Sequence, residues 1–191
     1  MNNGFAIAWV VFAGMVLSLL YVMWSLVRAQ GASELDDGPG WALGLIPVLA
    51  LLGVGVAAYL TFVETRNVSP ICGPIGDCGK VQSGPYARLF GVLPVGLLGL
   101  VGYLAVLVAA LVARLAGRWL GDLARLALFA MAVFGVLFSI YLTYLELFVI
   151  HAVCMWCLSS AVLMTLIMVL SLRPALYSMV AAADEGRPVE A

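Results

Sequence analysis

Long stretches without a charged residue dominate this chain, and short charged segments separate them. A bilayer core about 30 Å thick is crossed by a helix of about 20 apolar residues, and each of these stretches is long enough to do so. The pattern predicts five transmembrane helices, near residues 5–27, 41–63, 93–113, 123–149 and 155–172. No basic segment precedes the first stretch, which is also longer than the apolar part of a typical signal peptide, so we expect it to be retained.

Composition supports this prediction. Hydrophobic residues make up 65% of the 191 residues and charged residues only 10%. A soluble domain needs roughly a quarter of its residues charged to cover its surface. The chain is therefore expected to be an all-α membrane protein, and the absence of a basic cluster in the sequence speaks against a nucleic-acid partner.

Basic residues beside the predicted helices indicate the orientation, since cytoplasmic loops carry the excess of Lys and Arg. With the N-terminus outside, the inner segments hold six such residues: Arg28, Arg114, Arg118, Arg125, Arg173 and Arg187. The outer segments then hold three: Arg66, Lys80 and Arg88. We therefore expect the N-terminus outside and the C-terminus inside, with every cysteine in the oxidising outer compartment.

The four cysteines form two pairs, Cys72 with Cys78 in an outer loop and Cys154 with Cys157 where the last helix begins. At a helix N-terminus, unpaired backbone N–H groups and the helix dipole favour the reactive thiolate, and a CxxC can close a reversible disulfide. Redox exchange is the favoured interpretation. Static disulfides that brace the loop are one alternative, and zinc held by four thiolates is another. A pair at the membrane boundary and a Gly-rich loop suit a closed metal site poorly, so we predict no metal.

An internal repeat supports the redox interpretation. Residues 57–64, Ala-Ala-Tyr-Leu-Thr-Phe-Val-Glu, parallel residues 139–146, Ser-Ile-Tyr-Leu-Thr-Tyr-Leu-Glu, and in both units a cysteine pair begins eight residues after the Glu. Both units run from inside to outside, so the two pairs are expected to meet at one surface. Glu64 and Glu146 lie near the membrane boundary, where capping or interhelical hydrogen bonding and proton relay are both open interpretations. His151 is either an interfacial turn residue or a group that activates the nearby thiol.

The order of these motifs resembles the vitamin K epoxide reductase family, and most closely its bacterial members. A CxxxxxC loop is followed by Ser83-Gly-Pro-Tyr86-Ala, by Leu89-Phe-Gly-Val-Leu-Pro94, by two helices and by a CxxC that opens the last helix. The similarity covers roughly Leu43 to Leu172. It implies an all-α integral membrane fold in which a four-helix transmembrane bundle is joined by one additional N-terminal transmembrane helix.

Three parts of the chain follow from this resemblance. Residues 1–40 are expected to form the additional helix with an inner loop, residues 41–173 the catalytic bundle, and residues 174–191 a cytoplasmic tail. Within the bundle, the resemblance implies an electron relay through both cysteine pairs, with a loop that swings between them.

In this relay Cys72 takes electrons from a separate thioredoxin-fold protein, Cys78 exchanges with Cys154, and Cys157 faces a membrane quinone. Ser83, Tyr86 and Phe90 match family positions that border the quinone or a short helix of the outer loop. Together with Cys157 they are the candidate quinone contacts. Capping and packing are the alternative roles of the three non-cysteine residues.

The sequence also departs from the animal enzymes of the family. It has Ala161 where they have a Tyr shortly after the CxxC, and Gly84-Pro85 after Ser83 where they have Asn-Ser. These differences remove polar contacts to the ring and favour a thiol oxidase of the cytoplasmic (inner) membrane that uses menaquinone or ubiquinone. The alternative is a non-catalytic scaffold or transporter subunit with structural disulfides, which would tolerate Cys157→Ser.

Overall fold

The computed structural model describes residues 2–29, 40–66, 68–72, 76–82, 84–89 and 93–185. Its helices are α1 (Asn2–Ala29), α2 (Gly40–Arg66), α3 (Cys78–Gln82), α4 (Val95–Leu115), α5 (Arg118–Tyr144) and α6 (Met155–Glu185). The shorter elements are a 3-10 turn at Pro85–Ala87, a π-helical turn at Leu145–Ile150, and the antiparallel pair β1 (Arg88–Leu89) and β2 (Leu93–Pro94). Among the described residues, five helices are long and apolar enough to cross a membrane, as predicted.

The largest difference from the predicted boundaries is at the end of the last helix. We expected it to stop near Leu172, but α6 continues through Pro174 to Glu185. Arg173 ends the charge-free stretch without ending the helix, because buried residues beyond it, Ala175, Leu176 and Ser178, keep the helix packed. Ser178 donates a hydrogen bond of 2.9 Å to Asp122 of α5, which ties the extension to the bundle. The predicted tail is thus helical as far as Glu185.

Four helices form a closed ring in which α2 and α5 each contact both α4 and α6. Small buried residues line the contacts and let the backbones approach closely: Ala50, Ala57, Ala110, Ala132 and Ala161. Large apolar side chains on the outside of the ring are exposed, as expected where lipid is the solvent. The predicted four-helix bundle is therefore confirmed.

Helix α1 lies outside this ring, against α6 and α5. Its buried hydrophobic side chains, Ala8, Met15 and Val22, recur every seven positions and form one stripe along the helix. The opposite side carries exposed residues such as Leu17 and Trp24. The stripe packs on the bundle and the rest suits lipid, which confirms the additional N-terminal helix.

Two glycines bring α2 and α4 together near the site. A Cβ on Gly53 would overlap the ring of Tyr103, so this glycine makes the space into which the ring packs. A Cβ on Gly96 would lie 2.8 Å from the Thr61 nitrogen and 2.9 Å from Glu64 Oε2. The start of α4 can therefore contact the end of α2 directly.

Candidate active site at one end of the bundle

Each glutamate of the repeat hydrogen bonds to the beginning of a later membrane helix. The Gly96 N–H at the start of α4 donates to Glu64 Oε2 at 2.9 Å. The Cys154 N–H at the start of α6 donates to Glu146 Oε2 at 3.2 Å. Carboxylates satisfy the unpaired N–H groups of a helix N-terminus and complement its dipole. The capping interpretation of the two acids is therefore observed.

A sharp reversal of the chain produces the second of these contacts. The π-helical turn Leu145–Ile150 ends at His151, which has a left-handed backbone with φ 52°. The Ala152 N–H then donates back to the Glu146 carbonyl at 3.2 Å, and α6 begins three residues later. His151 itself is exposed, with Nδ1 3.3 Å from the Val149 carbonyl oxygen. These contacts place His151 in the turn, as one of its two predicted roles requires.

Cys154 is the residue that caps α6. Its carbonyl accepts the Leu158 N–H at 3.0 Å, which marks the first hydrogen bond of the helix. The Cys157 thiol donates to the Cys154 sulfur, as do the backbone N–H groups of Cys157 and Trp156. These donors lower the pKa of the Cys154 thiol below its ordinary value, although burial acts in the opposite direction. Cys154 is thereby prepared to act as a thiolate.

The loop cysteines are joined as a Cys72–Cys78 disulfide, whereas Cys154 and Cys157 are free thiols. Cys78 is fully buried and packs in one cluster with Cys154, while Cys72 is partly exposed at the edge of this cluster. The two ends of the loop disulfide therefore differ. One sulfur faces the bundle, and the other lies nearer the surface.

Helix α3 holds Cys78 in this position. The Asp77 N–H donates to the Val153 carbonyl at 3.1 Å, so the residue before Cys78 is bonded to the residue before Cys154. At the other end of α3, Gln82 Nε2 lies 4.0 Å from Cys154 Sγ as a donor. Gly76 permits this approach, since a Cβ there would lie 2.6 Å from the Val153 carbonyl oxygen.

The residue before Cys72 is held on both sides. The Ile71 N–H donates to the Tyr59 hydroxyl at 2.9 Å, and Trp156 Nε1–H donates to the Ile71 carbonyl at 3.0 Å. The two aromatic rings contact each other, with centroids 4.6 Å apart. We name Tyr59 and Trp156 the aromatic clamp. Because Trp156 lies between Cys154 and Cys157, the clamp links the two cysteine pairs.

A cavity of about 410 Å³ lies within the bundle below the cysteines. Cys157 is in its wall and Glu64 also lines it, while most other lining residues are apolar, among them Leu60, Val106 and Met164. Its polar lining includes Tyr103, whose hydroxyl donates to the Ser160 carbonyl at 2.8 Å. An apolar cavity of this size with a few polar groups suits a small lipid-soluble ring.

A second, small cavity of about 40 Å³ adjoins the cysteine site. Glu64, Gln82, Tyr86, Glu146 and Cys157 are among the residues that line it. Its volume is sufficient for water. Because Glu64 and Cys157 belong to the walls of both cavities, they stand between the small cavity and the large one.

Residues 45–172 match the family model described as vitamin K epoxide reductase family. The chain belongs to the vitamin K epoxide reductase family. The match includes all four cysteines, the whole of α4 and α5 and more than half of α2 and α6. The family chemistry is that of membrane disulfide oxidoreductases linked to quinones. The protein is accordingly a multi-pass membrane oxidoreductase.

Some of the residues predicted for this site lie together in the structure, and others fall outside the described residues. The two cysteine pairs meet at one end of the bundle, as the repeat predicted. Tyr86 lines the small cavity beside Cys157, with 44% of the residue exposed. Ser83 and Phe90 lie outside the described residues. The roles of these three residues at a quinone stay predictions.

Several residues at the site were missed by sequence analysis. Tyr103 and Ser160 are polar residues inside membrane helices, which is a signal that could have found them. Tyr59 is part of the repeat and Trp156 part of the CxxC, yet their shared contact with the loop depends on the folded chain. Gln82 has no such sequence signal, because it reaches Cys154 only through the placement of α3.

Proposed function

We propose that the protein is a thiol oxidase that passes electrons from a separate thioredoxin-fold protein to a membrane quinone and so supports disulfide bond formation. One observation carries the proposal. Cys78 and Cys154 are buried in the same cluster, and Cys157 lies in the wall of the large cavity. A continuous route therefore leads from the partly exposed Cys72 to a cavity inside the bundle.

The relay consists of balanced thiol–disulfide exchanges. A thiolate of the partner attacks Cys72, the Cys72–Cys78 bond breaks, and the second partner thiol then releases an oxidised partner and a reduced loop. The Cys78 thiolate next attacks Cys154 in a Cys154–Cys157 disulfide, and Cys157 leaves as a thiolate that takes up the proton Cys78 lost when it ionised. Attack of Cys72 on Cys78 restores the loop disulfide and leaves the dithiol of α6, which is the arrangement of bonds in the structure.

The large cavity fits the quinone that the family chemistry requires. When bound, the quinone supplies the two-electron acceptor that reoxidises the α6 dithiol. Leu98 of α4 and Phe134 of α5 line the cavity and are exposed on the outside of the bundle, so a lipid-soluble ring can enter from the membrane between these helices. Cys157 would face the ring, and we retain Ser83, Tyr86 and Phe90 as proposed contacts. Menaquinone and ubiquinone are the proposed quinones.

We place the protein in the cytoplasmic (inner) membrane with the cysteines on the outer face. The support is the excess of basic residues in the segments assigned to the inside. The N-terminus is then outside and the C-terminus inside. In this proposal residues 41–173 are the catalytic unit, residues 1–40 add a helix and an inner loop, and residues 174–191 lie on the cytoplasmic side.

Quinone reduction by the purified protein tests this proposal. The protein in detergent is given a menaquinone or ubiquinone analogue and either a reduced thioredoxin-fold carrier or dithiothreitol, and absorbance of the quinone is followed. We expect Cys154→Ala and Cys157→Ala to abolish turnover with both reductants. Cys72→Ala and Cys78→Ala should abolish it only with the protein carrier, since the small dithiol can reduce the α6 pair directly.

The dithiothreitol reaction is the internal control, because it requires a folded cavity and the α6 pair but no loop cysteine. The proposal would be contradicted if the unchanged protein binds quinone but reduces it with neither reductant, and if the four cysteine variants behave in the same way. A non-catalytic membrane protein with a structural disulfide would then be the better description.

A further inference from the structure

Glu146 contacts the reacting sulfurs as well as the start of α6. Glu146 is only 2% exposed. One of its carboxylate oxygens lies within 4.8 Å of both Cys154 Sγ and Cys157 Sγ, and the two sulfurs lie within the same distance of each other. The single S–H hydrogen of Cys157 therefore has two acceptors within reach, the Cys154 sulfur and this carboxylate. A helix cap needs only the Cys154 N–H, so the contact with the thiol of Cys157 is additional to capping.

Glu64 is placed to continue a path from this contact. It lines the small cavity together with Glu146 and Cys157, and it lines the large cavity as well. Among the described residues, the titratable or charged groups around the two acids are Cys154 and Cys157 beside Glu146, Arg88 beside Glu64, Tyr86 in the wall of the small cavity and Tyr103 in the wall of the large one. A proton on Glu146 can therefore reach the large cavity through a water-sized space bordered by both carboxyl groups.

We propose that Glu146 accepts the thiol proton of Cys157 and that Glu64 delivers a proton into the large cavity. This inference rests on the proposed function, in which a quinone is reduced there. It assigns the two acids of the repeat to one proton-transfer pair.

The step balances as follows. Two electrons leave the two sulfurs as the Cys154–Cys157 bond forms, and the S–H bond of Cys157 breaks with its proton on Glu146. Conversion of a quinone to a quinol also needs two protons. One is passed from Glu146 to Glu64 and on to a quinone oxygen, and the other comes from the outer aqueous phase, into which Cys154 released its own proton on becoming a thiolate.

Glutamine variants separate proton transfer from capping. Glu146→Gln and Glu64→Gln keep a side-chain oxygen that can accept the N–H of Cys154 or Gly96, but the amide cannot carry the proton. With dithiothreitol as the reductant, we expect each variant to slow reduction of a menaquinone analogue on the order of a hundredfold. Glu146→Asp, which keeps a carboxyl group, should recover part of the loss.

A control for the loss of an acid in this protein is Asp122→Asn. Asp122 is at the other end of the bundle, where it accepts hydrogen bonds from Arg125 and Ser178. We expect this variant to retain the rate of the unchanged protein within about twofold, as surface acids distant from the chemistry usually do.

A second readout needs no quinone. In a Cys154→Ser background, Cys157 is the only free thiol, and its alkylation by N-ethylmaleimide is followed by mass spectrometry. Glu146→Gln should raise the alkylation rate at pH 9 by about tenfold, because a carboxylate no longer opposes the thiolate charge. Glu64→Gln should leave this rate unchanged. Faster alkylation together with slower quinone reduction is the signature of a lost proton acceptor.

Other results have definite meanings. If Glu146→Gln reduces quinone at the unchanged rate, or if both alkylation and quinone reduction fall, then Glu146 only positions the helix and the inference is wrong. If Glu64→Gln has no effect, the delivery step is wrong. If the unchanged protein reduces no quinone, the proposed function itself fails, and the alkylation rates alone then report the charge of Glu146.

Discussion

The two copies of the repeat have the same spacing between Glu and Cys, but the two cysteines differ in burial and in bonding. Cys72 follows Glu64 by eight residues and lies in an extended loop, partly exposed and bonded to Cys78. Cys154 follows Glu146 by eight residues and is fully buried at the first turn of α6. The spacing delivers both thiols to the same end of the bundle, and the chain between Glu and Cys determines which of them can meet a partner protein.

The cause of the difference is local. After Glu146, the π-helical turn and the left-handed backbone at His151 reverse the chain, so the next membrane helix starts at the cysteine. After Glu64, α2 ends at Arg66 and the chain crosses the end of the bundle, where the aromatic clamp holds Ile71. Glu64 consequently caps α4, which brings no sulfur, whereas Glu146 caps the helix that carries the CxxC.

The largest effect is expected when a disulfide between the two cysteine pairs is trapped, because this tests directly whether Cys72 and Cys78 differ in their access to Cys154. In the double variant Cys72→Ser/Cys157→Ser, only Cys78 and Cys154 remain, and their burial in one cluster predicts a nearly complete Cys78–Cys154 disulfide on mild oxidation. Peptide mapping without reductant would detect it. The matched control is Cys78→Ser/Cys157→Ser, in which Cys72 should bond to Cys154 in only a minor fraction of molecules. Equal yields would mean that the two loop sulfurs are equivalent.

The next largest effect is expected from the contact between the loop and the turn before α6. Gly76→Ala places a Cβ 2.6 Å from the Val153 carbonyl oxygen, so the loop has to move away from Cys154. We expect turnover with the protein carrier to fall by roughly ten- to a hundredfold, a barrier change of about 1.4–2.8 kcal/mol. Turnover with dithiothreitol should change little.

Gly79→Ala, three residues further along in α3, provides the control, because the nearest atom to its Cβ is Asp77 Oδ1 at 3.7 Å, an ordinary contact distance. It should retain turnover with the carrier within about twofold, as substitutions that meet no close contact usually do. If both alanine variants behave alike, the close approach at Gly76 is not what positions Cys78.

The sequence predicted the features that depend on composition and spacing. Charge-free stretches located five membrane helices, and the repeat placed the two cysteine pairs at one end of the bundle. Features that depend on tertiary contacts were not predictable in this way. The packing of Tyr103 against Gly53 joins residues distant in sequence, and the continuation of α6 past Pro174 depends on the contact of Ser178 with Asp122. The difference between Cys72 and Cys154 also required the structure, since their spacing from Glu is identical.

Removal of one sulfur tests why Cys154 is the more acidic thiol. Its lowered pKa is caused first by the hydrogen bond from Cys157, so Cys157→Ala should move the alkylation of Cys154 to higher pH and slow it at pH 7 by about tenfold. The sign follows because a lost donor to the sulfur makes the thiolate less favourable. Cys157→Ser keeps an O–H donor and should lose less. A pH profile of Cys154 alkylation that neither variant shifts from that of the unchanged protein would assign the effect to the backbone of α6 instead.

The smallest effect is expected at the aromatic clamp, where the two repeat units are joined without any sulfur. Trp156→Phe keeps an aromatic ring against Tyr59 but removes the N–H that holds the Ile71 carbonyl. A single hydrogen bond of this kind is worth about 0.5–1.5 kcal/mol, which corresponds to a change of roughly two- to tenfold in how often the loop leaves its position. Direct reduction of the Cys72–Cys78 disulfide by dithiothreitol should therefore become faster, while exchange from Cys78 to Cys154 becomes slower. Tyr59→Phe removes the acceptor of the Ile71 N–H and should act in the same directions. If both rates rise or both fall, the clamp does not hold the loop over Cys154, and the asymmetry between the two cysteine pairs rests on α3 and the turn at His151 alone.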